Sequence, residues 1–297
     1  MRIKQWLKNI IILIPLFFSG KLLELDKLLL SIFAVITFSL LTSSIYLIND
    51  IVDYKDDIKH PSKKKRWLAS GKISKLQAFS LSLLLFILFV YLSLFWVKSE
   101  YFLLLGLIYW GLMVLYTLFL KKLVIIDTIV ISIGFVIRVV SGAVLLQLHL
   151  NSLLVISIIS VALLISFGKR MMKLKFGGLE SMREYLGEPR VFDIIIAFLA
   201  SISFMSYILF AYFYDQTNLN WLIGSYLPPT YKHPKWLLIT IPFAFYTLVR
   251  YIVLLYNNVI IDTPEDIWFR DKSLFISIIS WISIVFVLIY SSSVFKM

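Results

Sequence analysis

Nine consecutive residues, Asn49-Asp50-Ile51-Val52-Asp53-Tyr54-Lys55-Asp56-Asp57, concentrate acids where a long apolar run ends and a basic stretch begins. Continued as a helix, the segment puts Asp50, Asp53 and Asp57 at i, i+3 and i+7, on one face. Asn49 adds a neutral oxygen at the same height, while Asp56 falls off the face and is left out. Carboxylates stacked in this way repel one another unless a cation lies among them. Lysines would serve, as at any solvated helix end. The set also suits Mg²⁺, which takes a few carboxylate oxygens and completes its shell with water and phosphate oxygens. The expected metal ligands are Asn49, Asp50, Asp53 and Asp57, and the expected chemistry acts on a phosphorylated substrate.

A basic stretch follows: His60-Pro61-Ser62-Lys63-Lys64-Lys65-Arg66, then Ala69-Ser70-Gly71. Such runs commonly set membrane topology. Next to a metal-held diphosphate, Lys63 and Arg66 would also bind further phosphate oxygens, Arg66 through its bidentate fork. The N-terminal Lys4-Gln5-Trp6-Leu7-Lys8-Asn9 reads as a basic anchor with an interfacial Trp. Asp127 and Arg138 lie in or at the edge of one apolar run, about 16 Å apart along a helix axis, too far to pair with each other. Intramembrane charge is costly and faces a partner or a cavity; an interhelical ion pair is one outcome, and Asp127 beside Lys121 and Lys122 joining the metal site is another. Lys169 and Arg170 end a further run as snorkelling anchors or phosphate ligands. Glu180, Glu184 and Glu188 share helical spacing and offer a second acidic face, and Asp262 to Asp271 offers loop charges or a rim of the same site.

The elements that must hold these residues are membrane spans. The chain has 297 residues, 60% of them hydrophobic, 16% aromatic and 15% charged, whereas soluble domains carry about 25% charge. It contains no cysteine, which excludes disulfides, thiolate catalysis and Cys-ligated metals, and its three histidines show no metal spacing. Runs long enough to cross a bilayer fall near 9–24, 28–49, 76–97, 101–120, 123–147, 151–167, 191–214, 236–256 and 273–294. The expected fold is all-α: about nine transmembrane helices in one polytopic domain, 1–297. Of the 29 Lys and Arg residues, 21 lie in alternate segments, including loops at about 50–75, 168–190 and 257–272. With the N-terminus inside, the positive-inside rule places those segments in the cytoplasm. Because topology accounts for the net charge of +12, no nucleic-acid partner is expected.

Taken together, these segments resemble the UbiA superfamily of intramembrane transferases, through an Asn-Asp-x-x-Asp-x-x-x-Asp motif after the second span. Finer features resemble its decaprenyl-phosphate phosphoribosyltransferase branch: Arg2, Lys4, Gln5, Trp6, Lys8 and Asn9 match its N-terminal motif. His60, Pro61, Lys63, Arg66, Ala69 and Gly71 match the motif after the acids. Tyr116-Thr117, Lys121, Asp127, Phe135, Arg138, Gly142, Gly168-Lys169-Arg170, Arg250-Tyr251 and the stretch from Pro264 to Leu274 also fit. Trp67 stands where the family has proline, and Lys173 where an acid commonly follows the Lys-Arg pair. The resemblance implies helices around a central cavity open to the cytoplasm and to lipid, in the plasma membrane. It implies transfer of 5-phosphoribose from phosphoribosyl diphosphate to a polyprenyl phosphate with Mg²⁺ as cofactor. Asp50, Asp53 and Asp57 would be catalytic, and Lys4, Lys8, Lys63, Arg66, Tyr116, Lys121, Asp127, Arg138, Lys169 and Arg170 would contact substrates. A homo-oligomer is compatible with the sequence.

The competing enzyme is a prenyltransferase moving a polyprenyl group from its diphosphate to an aromatic or other acceptor. Such enzymes usually carry a clear second acidic motif; the acids from Asp262 to Asp271 read here as loop charges or a rim of the same site. A cation transporter fits less well, since it calls for ionisable groups deep in several spans, and here they gather at one membrane face.

Overall fold

A computed structural model of the chain describes residues 3–59, 63–123, 125–176, 190–214, 235–257 and 271–295. Arg2, His60, Pro61, the glutamates at 180, 184 and 188, and the acids between 262 and 266 lie outside the described residues, and so does the side chain of Lys4. Among the described residues every regular element is a helix, and eight are long and apolar enough to cross a membrane. They match eight of the nine expected spans. The remaining one is a shorter apolar segment, Gln5–Phe18, made of a 3-10 helix, Ile3–Leu13, that runs into α1 (Ile14–Phe18).

The 3-10 form has a reason in the sequence. With three residues per turn, side chains three apart eclipse. Trp6, Asn9 and Ile12 therefore share one face, and Asn9 and Ile12 are fully buried. Leu7 and Ile10 point outward at about half exposure, 52% and 48%.

The helices fall into two compact units. The first comprises Met1–Phe17 and Glu24–His149 and contains the 3-10 segment, α2 (Leu25–Val52), α3 (Tyr54–Lys59), α4 (Lys75–Leu92, extended by a π turn at Ser93–Val97), α5 (Glu100–Leu118) and α6 (Ile126–Leu145). Helix α2 is its hub and packs on α4, α5 and the 3-10 segment. Phe38, Phe89, Phe102 and Tyr109 interlock edge-on or tilted at its centre. Water is absent from a bilayer core, so polar groups there must find protein partners. Ser44 accepts from the Trp110 indole at 3.1 Å, and its carbonyl accepts from Ser82 at 2.9 Å. At Gly142 of α6 an added Cβ would lie 2.0 Å from the Ile12 carbonyl oxygen. Glycine is what lets the 3-10 backbone lie against α6.

The second unit, Phe18–Leu23 and Leu150–Met297, contains α7 (Ser152–Phe176), α8 (Arg190–Phe213), α9 (Ile241–Tyr256) and α10 (Lys272–Phe295). Phe167, Met171, Phe192, Ile196, Leu255 and Leu274 form much of its core. Tyr214 donates to the Phe18 carbonyl at 2.6 Å, and the Leu22 amide donates to the Tyr290 hydroxyl at 3.1 Å.

Candidate active site

The acidic segment is not one continuous helix. Helix α2 ends at Val52, and Asp53 is its C-cap at φ −86° and ψ 5°. The chain then re-enters a helix as α3. The amides of Asp56 and Asp57 bond to the Asp53 carbonyl at 3.0 and 2.9 Å, so Asp57 stays one turn beyond the bend. The bend separates the three carboxylates into two groups. Asp50 and Asp57 converge on one guanidinium: Arg66 Nη1 reaches Asp50 at 3.2 Å and also bonds to Asp57. Asp53 pairs with the Lys121 ammonium. Asp56 is exposed.

Arg66 reaches the acids because the loop before α4 is tightly wound. A 3-10 turn, Lys63–Lys65, is followed by amide bonds from Arg66 to Lys63, Ser70 to Arg66 and Gly71 to Leu68, at 2.9, 2.8 and 3.1 Å. Leu68 is buried at 3% exposure and fastens the loop. Gly71 has φ +74°, a conformation that suits glycine. Ser74 and Gln77 then form a reciprocal capping box on α4. Lys75 lies 4.4 Å from the Tyr54 ring centroid, which ties the start of α4 to α3.

Asp57 is 2% exposed. A carboxylate buried to that extent relies on its partner, and removing one member of a buried pair costs about 3–5 kcal/mol. Asp53 and Lys121, half-buried, bear a weaker constraint. Lys121 comes from the 3-10 turn Leu120–Lys122 between α5 and α6. Just beyond it Ile125 has φ +67°, a strained setting for a β-branched residue. The strain is held in place by the Thr128 hydroxyl, which donates to the Ile125 carbonyl at 2.6 Å. Asp127 is 5% exposed and accepts the Thr128 amide at 2.8 Å. It thus caps the first turn of its own helix, where negative charge meets the favourable end of the helix dipole. Lys121 reaches the acidic segment through its ion pair with Asp53.

Among the described residues no three His, Asp or Glu side chains come together in a metal-sized cage. The donor set itself fits Mg²⁺: Asn49, Asp50, Asp53 and Asp57 supply only oxygens, and two of the carboxylates already converge on one cation, Arg66. Lys63 and Tyr116 are half-buried within the first unit. Lys169, exposed, and Arg170, half-buried, lie on α7 of the second unit.

Arg138 is placed differently. It is 4% exposed in the middle of α6. Its Nε donates to Asn9 Oδ1 at 2.8 Å, Nη1 to the Gly134 carbonyl at 2.8 Å, and Nη2 to the Tyr109 hydroxyl. The rings of Tyr109, Phe135 and Phe38 lie 4.6, 5.4 and 5.8 Å from its guanidinium carbon. The partners are neutral, so the ion pair considered from the sequence is not formed among the described residues. Asn9 and the α2 residues it meets were not expected at the site. The signal that could have found them is a helical stripe of Ser39, Thr42, Ser43 and Tyr46 inside an otherwise apolar span.

Residues 10–258 match the family model described as the UbiA prenyltransferase family. The chain belongs to this family. Among UbiA relatives, a decaprenyl-phosphate phosphoribosyltransferase of Mycolicibacterium smegmatis is 28% identical over 302 residues, covering 98% of this chain and 91% of the relative. The fold is shared with two solved UbiA homologues. One, from Aeropyrum pernix, has a TM-score of 0.62 at 16% identity, with 99% of each chain covered. The other, from Archaeoglobus fulgidus and bound to DMAPP and Mg²⁺, has a TM-score of 0.63 at 13% identity, covering 96% of this chain and 95% of that one. The protein is thus an integral membrane enzyme of the UbiA transferase family.

Proposed function

We propose that the protein transfers 5-phosphoribose from phosphoribosyl diphosphate to a polyprenyl phosphate, releasing diphosphate, at the cytoplasmic face of the plasma membrane. One observation carries the reading: Asp50, Asp53 and Asp57 interleave with Arg66 and Lys121 at the end of one span. An enzyme of a diphosphate ester needs both signs of charge within a few ångströms. The end-to-end likeness to a decaprenyl-phosphate phosphoribosyltransferase supports the particular donor and acceptor.

Asn49, Asp50, Asp53 and Asp57 would hold Mg²⁺, which supplies charge neutralisation to a leaving diphosphate. Arg66 and Lys121 are held by carboxylates in the resting protein and would pass to phosphate oxygens when the donor enters, Arg66 through its planar fork. Lys63 stands one turn before Arg66 and would add charge to the same group. Lys4, Lys8, Lys169 and Arg170 remain the basic candidates for the other phosphates, and Tyr116 for positioning. The bond from the anomeric carbon to diphosphate breaks as a bond to the acceptor phosphate oxygen forms. The carbon passes through an oxocarbenium-like state, as in other glycosyl transfers. The attacking oxygen is already anionic, so no strong general base is required.

A second reading, transfer of a prenyl group from its diphosphate, is favoured by the DMAPP- and Mg²⁺-bound structural relative. Purified protein given labelled phosphoribosyl diphosphate, Mg²⁺ and a polyprenyl phosphate separates the two. A labelled lipid is the expected product. Turnover of a prenyl diphosphate with no labelled lipid would replace the first reading by the second.

A further inference from the structure

The 3-10 segment meets α2 through a ladder of side-chain hydrogen bonds. Asn9 Nδ2 donates to Ser39 at 2.9 Å and to Thr42 at 3.2 Å. The Trp6 indole donates to Ser43 at 3.0 Å, and the Tyr46 hydroxyl donates to Gln5 Oε1 at 3.4 Å. The three hydroxyls on α2 give their own protons to carbonyls one turn back, Ser39 to Val35 and both Thr42 and Ser43 to Ser39. Their lone pairs are left to accept from the segment. Residues 39, 42, 43 and 46 follow the i, i+3, i+4, i+7 pattern of one helix face. Continued toward the helix end, the same stripe reaches Asn49, Asp50 and Asp53.

The two strands of this ladder run antiparallel and in step. From Asn9 back to Gln5 a 3-10 helix advances about 8 Å, and from Thr42 to Tyr46 an α-helix advances about 6 Å. Past Gln5 the next residue of the segment is Lys4, and past Tyr46 the next stripe positions are Asn49 and Asp50. The inner end of the ladder is fixed by Arg138, whose Nε holds Asn9 Oδ1, and by Gly142, which admits the Ile12 carbonyl. A buried guanidinium bound to neutral partners has little freedom to move: each bond lost leaves a charge or a dipole unsatisfied in a medium without water.

We infer that Ile3–Leu13 is an arm held in register along the polar stripe of α2, and that Arg138, acting through Asn9, is a positioning residue that sets where the arm's basic start stands beside Asn49 and Asp50. The arm, in this role, brings Lys4 and Lys8 to the phosphates of the donor, a step that rests on the phosphoribosyl-transfer reading. Arg138 itself touches no substrate.

Because the chain has no cysteine, a single Gln5→Cys substitution gives a clean reporter of docking, read as the rate of modification by a water-soluble maleimide. In the Gln5→Cys background, Arg138→Met and Asn9→Leu each speed labelling about tenfold or more, the loss expected for one hydrogen bond to a charged group. Asn9→Asp keeps an acceptor for Arg138 but gives up both amide donations to Ser39 and Thr42, so it labels faster than the parent and slower than Asn9→Leu. In the cysteine-free protein the same two disruptive changes raise the KM for phosphoribosyl diphosphate by a similar factor, while kcat and the KM for the lipid acceptor change little. If Arg138→Met does not accumulate in the membrane, Ser43→Ala, which in this background releases only the Trp6 indole, is read instead and speeds labelling. Unchanged labelling in the disruptive variants overturns the arm; faster labelling with an unchanged donor KM overturns its role in donor binding. If phosphoribosyl transfer is itself wrong, no labelled lipid forms with the parent protein, and the labelling rates still decide whether the arm is docked through Arg138.

Discussion

Arg66 and Arg138 are both arginines of the first unit, and they are held in opposite ways. Arg66 sits at a helix end, partly open, shared between Asp50 and Asp57. Arg138 sits in mid-span, closed off, bonded to an amide, a carbonyl and a phenol and covered by aromatic rings. A guanidinium among carboxylates can be exchanged for another cation, because a divalent ion satisfies the same oxygens. One bonded to neutral groups has no such replacement. The first arrangement suits a site that loads and unloads charge; the second suits a fastening that never opens.

The comparison breaks most completely at the acids. Asp50→Ala and Asp53→Ala are each expected to abolish turnover while the protein still inserts and purifies in normal amount. Near-normal turnover in either would remove the metal site, and with it the reason Arg66 is exchangeable.

Arg66→Gln comes next. It takes away a phosphate ligand, and donor affinity should fall by at least about tenfold, as for a lost bond to a charged group. It also frees Asp50 and Asp57 from a competing cation. Mn²⁺ alone, followed by its paramagnetic signal, should therefore bind the variant more tightly than the parent. Equal Mn²⁺ affinity in the two proteins would show that Arg66 does not occupy the metal position.

Gly142→Ala tests the fixed end. Its Cβ would lie 2.0 Å from the Ile12 carbonyl oxygen, and backbone, unlike a flexible side chain, yields only by moving the whole segment. A loss of about 1–3 kcal/mol is expected, as for overpacking in a tight core, seen as a lower Tm in detergent. Gly134→Ala, by contrast, meets the Met113 methyl at 2.5 Å and the Tyr109 ring at 3.2 Å. Met113 can swing aside, so the cost there is smaller.

Spans were the legible part of the fold, because a bilayer demands about 20 apolar residues and one sequence shows them directly. The exception is instructive. The run expected at 9–24 is carried by a shorter apolar segment that starts earlier, Gln5–Phe18, and its Gln5, Trp6 and Asn9 bond to α2, a pairing that hydropathy does not register. The acids were legible by spacing, but their division into two groups was not: it follows from the bend at Asp53 and from cations 16 and 68 positions away along the chain. Arg138 was legible as a charge that needs a partner. Asn9, 129 positions earlier, was not legible as that partner, because a lone asparagine at the edge of an apolar run also reads as a polar flank.

The smallest effect belongs to the second unit, where Arg250 and Asp271 form a half-buried counterpart to the Arg66 pair. Arg250 grips Asp271 at 3.2 and 2.6 Å, and Asp271 also accepts the Leu274 amide at 2.7 Å, capping α10. The Arg250 guanidinium holds the Asp271 carboxyl below its ordinary value of 3.8, against the opposing effect of burial and with help from the Leu274 amide. A carboxyl lowered on folding stabilises the fold fully above its unfolded value, and the contribution fades as the pH falls through the folded value. Asp271→Asn should therefore lower Tm slightly near neutrality, and the gap from the parent should close as the pH is taken below 3.8. Solvent and salt partly screen a pair that water still reaches, so the gap should also shrink in high salt. The absence of a gap near neutrality would mean that Asp271 acts through the α10 cap alone, where an asparagine side chain serves nearly as well, and not through Arg250.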